Sequence, residues 1–128
     1  IAVLRDEDEN ARRAAVEVLN EIGTVAHVKE LLQSIKDDDW WVRSRAADAL
    51  AKIGGPRVIE AALELIRDQD EDIRRAAIEI LNQTKDERAI GFLIEATRDS
   101  DWWVRERAIE AIVAAVTRLR AIAPENST

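Results

Sequence analysis

Asp8, Asp39, Asp70 and Asp101 recur at an interval of 31 residues, and Arg12, Arg43, Arg74 and Arg105 keep step with them. A fixed interval of this size means one structural unit copied and stacked into a solenoid. Stacked units present an extended surface rather than a closed reaction chamber. The work expected of such a chain is holding a partner.

The columns of the repeat define its helices. Leu4, Ile35, Ile66 and Thr97 share one column, and Ala15, Ala46, Ala77 and Ala108 share another. Within one unit, Val42, Ala46, Ala49, Leu50 and Ile53 fall on a single helical face. Each unit therefore reads as two helices, the first capped by its second aspartate, whose carboxylate accepts from free amides and suits the positive helix end. First helices are expected near 9–22, from Asp39 to about Lys52, and near 71–84. Second helices are expected near 25–36, from Pro56 to about Arg67, and near 87–98. Gly23 and Gly54 suit the left-handed position that ends a helix, and Pro56 opens the next one.

The last unit departs from this scheme. The positions matching the two glycines hold Lys85 and Val116, and nothing interrupts Trp102 to Ala123 before Pro124. One long terminal helix closing the stack is expected there, with a frayed tail over residues 125–128. The reading is a single all-α domain over 1–128, with repeats near 6–36, 37–67, 68–98 and 99–124. Residues 1–5 match the end of a preceding second helix, and with no methionine in the chain a fragment of a longer protein is expected.

Composition narrows the partner classes. Aromatic residues are only 4% of the chain, so the core must be Ala, Leu, Ile and Val. The net charge is −7, with basic and acidic residues interleaved throughout. That field repels polyanions, so neither nucleic acid nor an anionic membrane is the expected partner. There is no cysteine, which removes disulfides, thiolate metal sites and cysteine nucleophiles, and suits a reducing, cytoplasmic setting. No apolar run approaches the roughly 18–20 residues of a membrane span.

The unit D-x-D-x-x-V/I-R-x-x-A-x-x-A/I-L-x-x-I-G, best seen from Asp37 to Gly54 and from Asp68 to Leu81, resembles the short HEAT-like repeat of the phycobilin-lyase type. The resemblance covers essentially the whole chain. It implies a right-handed α-α superhelix of antiparallel helix pairs, with first helices on the convex side and second helices lining the concave side. It also implies a ladder between repeats, formed by Asp6, Asp37, Asp68 and Asp99 with Arg12, Arg43, Arg74 and Arg105. An arginine present in every unit serves what every unit needs, and its planar fork suits carboxylates and carbonyls, so these eight positions read as structural.

Function should lie where the repeats differ. A second period of 62 places Trp40-Trp41 and Trp102-Trp103 in repeats two and four, where repeats one and three have Glu9-Asn10 and Glu71-Asp72. Repeats one and three share instead an Arg-Arg-Ala-Ala run at Arg12 and Arg74. Positions that accept Glu, Asn and Asp read as solvent-facing, so the four tryptophans are expected to form a two-pronged exposed ridge that touches a partner. The other reading open to them is that one Trp of each pair seals the preceding turn between repeats.

The second helices offer another candidate. Val58, Ala61 and Leu65 align with Ala89, Phe92 and Ala96 beside the core face. They read either as an apolar floor of a concave groove or as packing between adjacent second helices. Glu30, Glu60, Glu64 and Glu95 would give that groove an acidic rim suited to a basic visitor.

Catalytic and metal chemistry find little support. His27 is the one histidine, opens a second helix with no carboxylate at metal spacing, and reads as solvated or capping. The Asp37-Asp38-Asp39 run lacks the glycine and distal glutamate of a calcium loop. No phosphate loop, Ser-His-Asp set or carboxylate pair assembles. The expected function is a non-catalytic module without cofactor or metal that binds a protein or basic peptide. The alternatives are a subunit of a bilin (tetrapyrrole) lyase and a regulatory or spacer arm beside a catalytic domain such as a protein kinase.

Overall fold

The computed structural model describes residues 8–122; Asp6, the expected helix end at residues 1–5, Pro124 and the tail lie outside them. Four first helices stand side by side: α1 (Glu9–Ile22), α3 (Trp40–Ile53), α5 (Glu71–Thr84) and α7 (Trp102–Ile122). Three second helices, α2 (Val28–Ser34), α4 (Gly55–Leu65) and α6 (Ile90–Ala96), form the other layer. Each second helix packs on the first helix of the following repeat, α2 on α3, α4 on α5 and α6 on α7. The described residues hold no strand.

The paired aspartates account for the sharp entry into each first helix. The first of each pair binds the backbone amide of the second: Asp37 accepts from Asp39 N at 2.9 Å, Asp68 from Asp70 N at 2.9 Å and Asp99 from Asp101 N at 2.8 Å. The second then caps the helix. Asp8, Asp39 and Asp70 accept from the amide two residues on, and Asp101 from Val104 N. The turns entering α3, α5 and α7 are thus each closed by two successive side-chain links, and water is not needed to satisfy those amides.

Between the layers lies one continuous aliphatic core that includes Val16, Leu31, Ile35, Val42, Leu50, Ile78 and Leu81, all buried. Ala46, Ala77 and Ala108 are fully buried in their shared column, where α3, α5 and α7 come close to the second layer. Small residues at that column set the spacing between layers, and larger ones beside it fill the space.

Some expectations shift. The second helices of repeats one and three are shorter than their pattern, because their first turns, Val25–His27 and Glu87–Ala89, wind as 3₁₀ helix. His27 takes the capping role: its Nδ1 faces the Thr24 amide at 3.3 Å. Gly23 is not left-handed, with φ −59°; glycine is required because a Cβ there would collide with the carbonyl oxygen of Leu19. Gly54 does take positive φ (60°), and Lys85 adopts the left-handed conformation in its place in repeat three, at φ 57°. With Val116 at the fourth such position, α7 runs on without a break. Its outward face carries exposed Ile109, Val113, Val116 and Leu119 rather than the polar surface that ends such stacks.

Candidate binding groove in the middle seam

The first helices meet along three seams, α1–α3, α3–α5 and α5–α7. The two outer seams are built alike. In the first, Arg12 Nε bonds Asp37 Oδ2 at 2.8 Å. Arg13 takes Asp39 through Nε at 2.6 Å and Nη2 at 3.0 Å. Glu17 accepts from Arg45 Nη2 at 2.6 Å. Both Arg13 and Arg45 lie over the Trp41 ring, with guanidinium carbons 5.6 and 5.8 Å from its centroid. The third seam repeats every part 62 residues later: Arg74 on Asp99, Arg75 on Asp101, Arg107 on Glu79, and two guanidinium groups over Trp103 at 5.6 and 5.5 Å.

These seams are electrostatically tight. The forked hydrogen bond from Arg13 holds the Asp39 carboxyl below its ordinary range, and Arg75 does the same for Asp101. Each guanidinium gains in turn: hydrogen bonds to Asp39 and Asp101 raise Arg13 and Arg75, and bonds to Glu17 and Glu79 raise Arg45 and Arg107. Burial opposes these shifts and is outweighed, because the charges meet as bidentate or short pairs.

The middle seam keeps the helices and loses the filling. Ser44 stands where the outer seams have Arg13 and Arg75, Ala76 where they have Arg45 and Arg107, and Asp72 where they have the tryptophan. The acceptor columns persist as Asp48 and Asp70. Arg43 does not repeat the rung of Arg12 and Arg74 either. It donates to the Asp37 carbonyl at 2.8 Å and stays 3.9 Å from Asp72. A groove of about 520 Å³ opens as a result, over buried Ala47 and Ala76, with Trp40, Arg43, Asp48, Asp72, Arg75 and Trp103 among its walls.

The ridge expected from sequence is therefore revised. Trp40 and Trp102 are exposed, at 65% and 62%, but Trp41 and Trp103 are half-buried beneath arginines and close the outer seams. One tryptophan from each pair, Trp40 and Trp103, borders the same groove, while Trp102 does not line it. The ladder is also more specific than the expected pairing. Arg74 and Arg105 hold the carbonyls of Asp68 and Asp99 in their own repeats, whereas Arg12 and Arg74 reach the carboxylates of the next repeat.

The second-helix layer carries two shallow grooves rather than one apolar floor: Ala61, Glu64 and Leu65 line one of about 260 Å³, and Phe92, Glu95 and Ala96 line another of about 350 Å³. Val58, Ala89 and Ala96 are buried in the core, and only Ala61, Leu65 and Phe92 are partly open. Arg67 covers Phe92 at 4.9 Å and is tied to Glu95 at 2.9 Å. Beside α2 and α4, Lys29 and Lys36 share that 260 Å³ groove with Glu64, so the rim is mixed rather than acidic; Glu60 is exposed and does not line it. The residues missed by sequence reasoning are Arg13, Arg45, Arg75 and Arg107 with Glu17 and Glu79. Their signal was present as the alternation of the Arg-Arg runs with the Trp-Trp runs.

Two layers of stacked helix pairs, with paired aspartates at the entries to α3, α5 and α7, make a helical-repeat architecture. The model for HEAT repeats matches residues 1–77 and again 59–123. The chain belongs to the HEAT-repeat family. A search of curated proteins finds no match to it. As a HEAT-repeat protein it is a helical repeat scaffold, and no described helix is long and apolar enough to cross a membrane. What sets this HEAT-repeat stack apart is the alternation of filled and unfilled seams.

Proposed function

We propose that the chain is a non-catalytic scaffold that binds a protein or peptide through the groove of the middle seam, with Trp40 as the anchor. One observation carries this reading: Trp40 is 65% exposed beside a groove that is open because its fillers are replaced by Ser44, Asp72 and Ala76. A large aromatic ring left at the edge of a concavity is the arrangement that dominates binding energy at interfaces. The groove's strongest pairs, Arg45 with Glu17 and Arg75 with Asp101, serve the outer seams, which supports binding rather than chemistry. Trp102 is similarly exposed but does not line this groove, and serves as the control.

The test is affinity capture with wild type, Trp40→Ala and Trp102→Ala. The partner captured by wild type is lost with Trp40→Ala and kept with Trp102→Ala. An unchanged partner set for Trp40→Ala contradicts the reading.

A further inference from the structure

Resting on that reading, we infer that the partner presents an arginine to this groove, where its guanidinium meets carboxylates and an indole, the groups that hold the chain's own arginines in the two outer seams. Three seams share one set of columns. In two of them the acidic columns grip arginines: Asp39 and Asp101 each take both arms of a guanidinium, and Glu17 and Glu79 each accept a 2.6 Å bond. In the middle seam both acidic columns survive as Asp70 and Asp48, but both arginine columns are emptied, to Ser44 and Ala76. Asp48 lines the groove, whereas Asp70 caps α5 and does not line it.

The charges along the groove point the same way. Its arginines are committed elsewhere: Arg45 to Glu17, Arg75 to Asp101 and Arg43 to the Asp37 carbonyl. Glu79 is taken by Arg107. Asp48 and Asp72 make only longer ion pairs. Asp48 has cations only at 3.5 Å (Lys52) and 3.8 Å (Arg45), Asp72 has Arg43 at 3.9 Å, and neither carboxylate accepts a hydrogen bond among the described residues. Two under-used carboxylates beside an exposed indole make a receptor for a cation that also stacks. Arginine fits better than lysine, because its flat fork can lie on Trp40 and still donate sideways to a carboxylate. The outer seams combine stacking and donation over Trp41 and Trp103; here that column holds Asp72, and Trp40 offers its ring from the neighbouring column.

The probe is the capped pentapeptide Gly-Gly-Arg-Gly-Gly, titrated into the full chain while the indole N–H signals are followed by NMR. Two companion peptides replace arginine with lysine and with citrulline, which keeps the shape and loses the charge. The arginine peptide shifts the Trp40 indole signal saturably, at least about tenfold more tightly than the citrulline peptide, and leaves Trp102 in place. Asp48→Asn with Asp72→Asn removes the response; both side chains lie at the surface, and an unchanged thermal melt verifies the fold. Equal binding of the citrulline peptide, equal shifts at Trp102, or no shift at Trp40 overturns the proposal. The two layers of the account separate cleanly. A captured partner lost with Trp40→Ala but kept by the double Asn variant refutes the arginine and spares the scaffold reading, whereas a partner kept with Trp40→Ala refutes the scaffold reading itself.

Discussion

Arg13 grips Asp39 through two nitrogens at 2.6 and 3.0 Å, across the seam between α1 and α3, while Asp39 also caps α3. A single carboxylate therefore starts a helix and fastens it to its neighbour. Arg75 and Asp101 repeat the arrangement at 2.8 Å. Pairing through both arms of the fork fixes the angle between repeats as well as their distance.

Acid should loosen these fastenings. The folded-state pKa values of Asp39 and Asp101 are depressed, chiefly by the hydrogen bonds from Arg13 and Arg75. Depressed carboxyls add stability that is complete above the unfolded value, about 3.9, and is lost as pH falls through the folded values. The melting temperature should stay level from pH 7 to about pH 5 and drop below about pH 4. A variant with Arg13→Gln and Arg75→Gln should start lower and lose less on acidification. Parallel curves for the two proteins, measured by circular dichroism, would contradict the linkage.

The two members of each tryptophan pair should behave differently. Trp41 packs against the core and under two guanidinium groups, so Trp41→Ala should cost about 2 kcal/mol in urea unfolding, as should Trp103→Ala. Trp40→Ala and Trp102→Ala remove exposed rings and should change stability by less than about 0.5 kcal/mol. Equal losses at Trp40 and Trp41 would mean that the outer seams are not sealed by indoles.

Helix ends give a pair of opposite signs. Gly54 sits at φ 60°, ψ −156°, a region open only to glycine, so Gly54→Ala should destabilise by about 1–3 kcal/mol. Lys85 is left-handed at φ 57°, ψ 37°, and Lys85→Gly should stabilise by about 0.5–1 kcal/mol. Thermal melts of the two single variants check both signs.

Much of the fold was legible in the chain. The capping aspartates and the helical face behind them set α1 and α5 at residues 9–22 and 71–84, because side-chain links close those turns locally. The second helices were less legible, since a first turn that winds as 3₁₀ helix shares the residue pattern of an α-helical turn. Column comparison foretold the exposure of Trp40 and Trp102, whose counterparts Glu9 and Glu71 are also exposed. It misled for Trp41 and Trp103. Their counterpart Asn10 is exposed on α1 and Asp72 lies in the groove, so those columns hold polar residues where the arginine filling is absent. The groove was hidden for the same reason. It is a property of three columns on two helices taken together, and no one column displays it.

The central claim is that the middle seam is a site because its filling is missing, and refilling it is the most direct measurement. A variant combining Ser44→Arg, Asp72→Trp and Ala76→Arg copies the outer seams into the middle one, with Asp48 and Asp70 as ready acceptors. Titration of this variant with the arginine pentapeptide, alongside its thermal melt, should show a raised melting temperature and no response at the Trp40 indole. Undiminished peptide binding by a refilled, more stable protein would contradict the account.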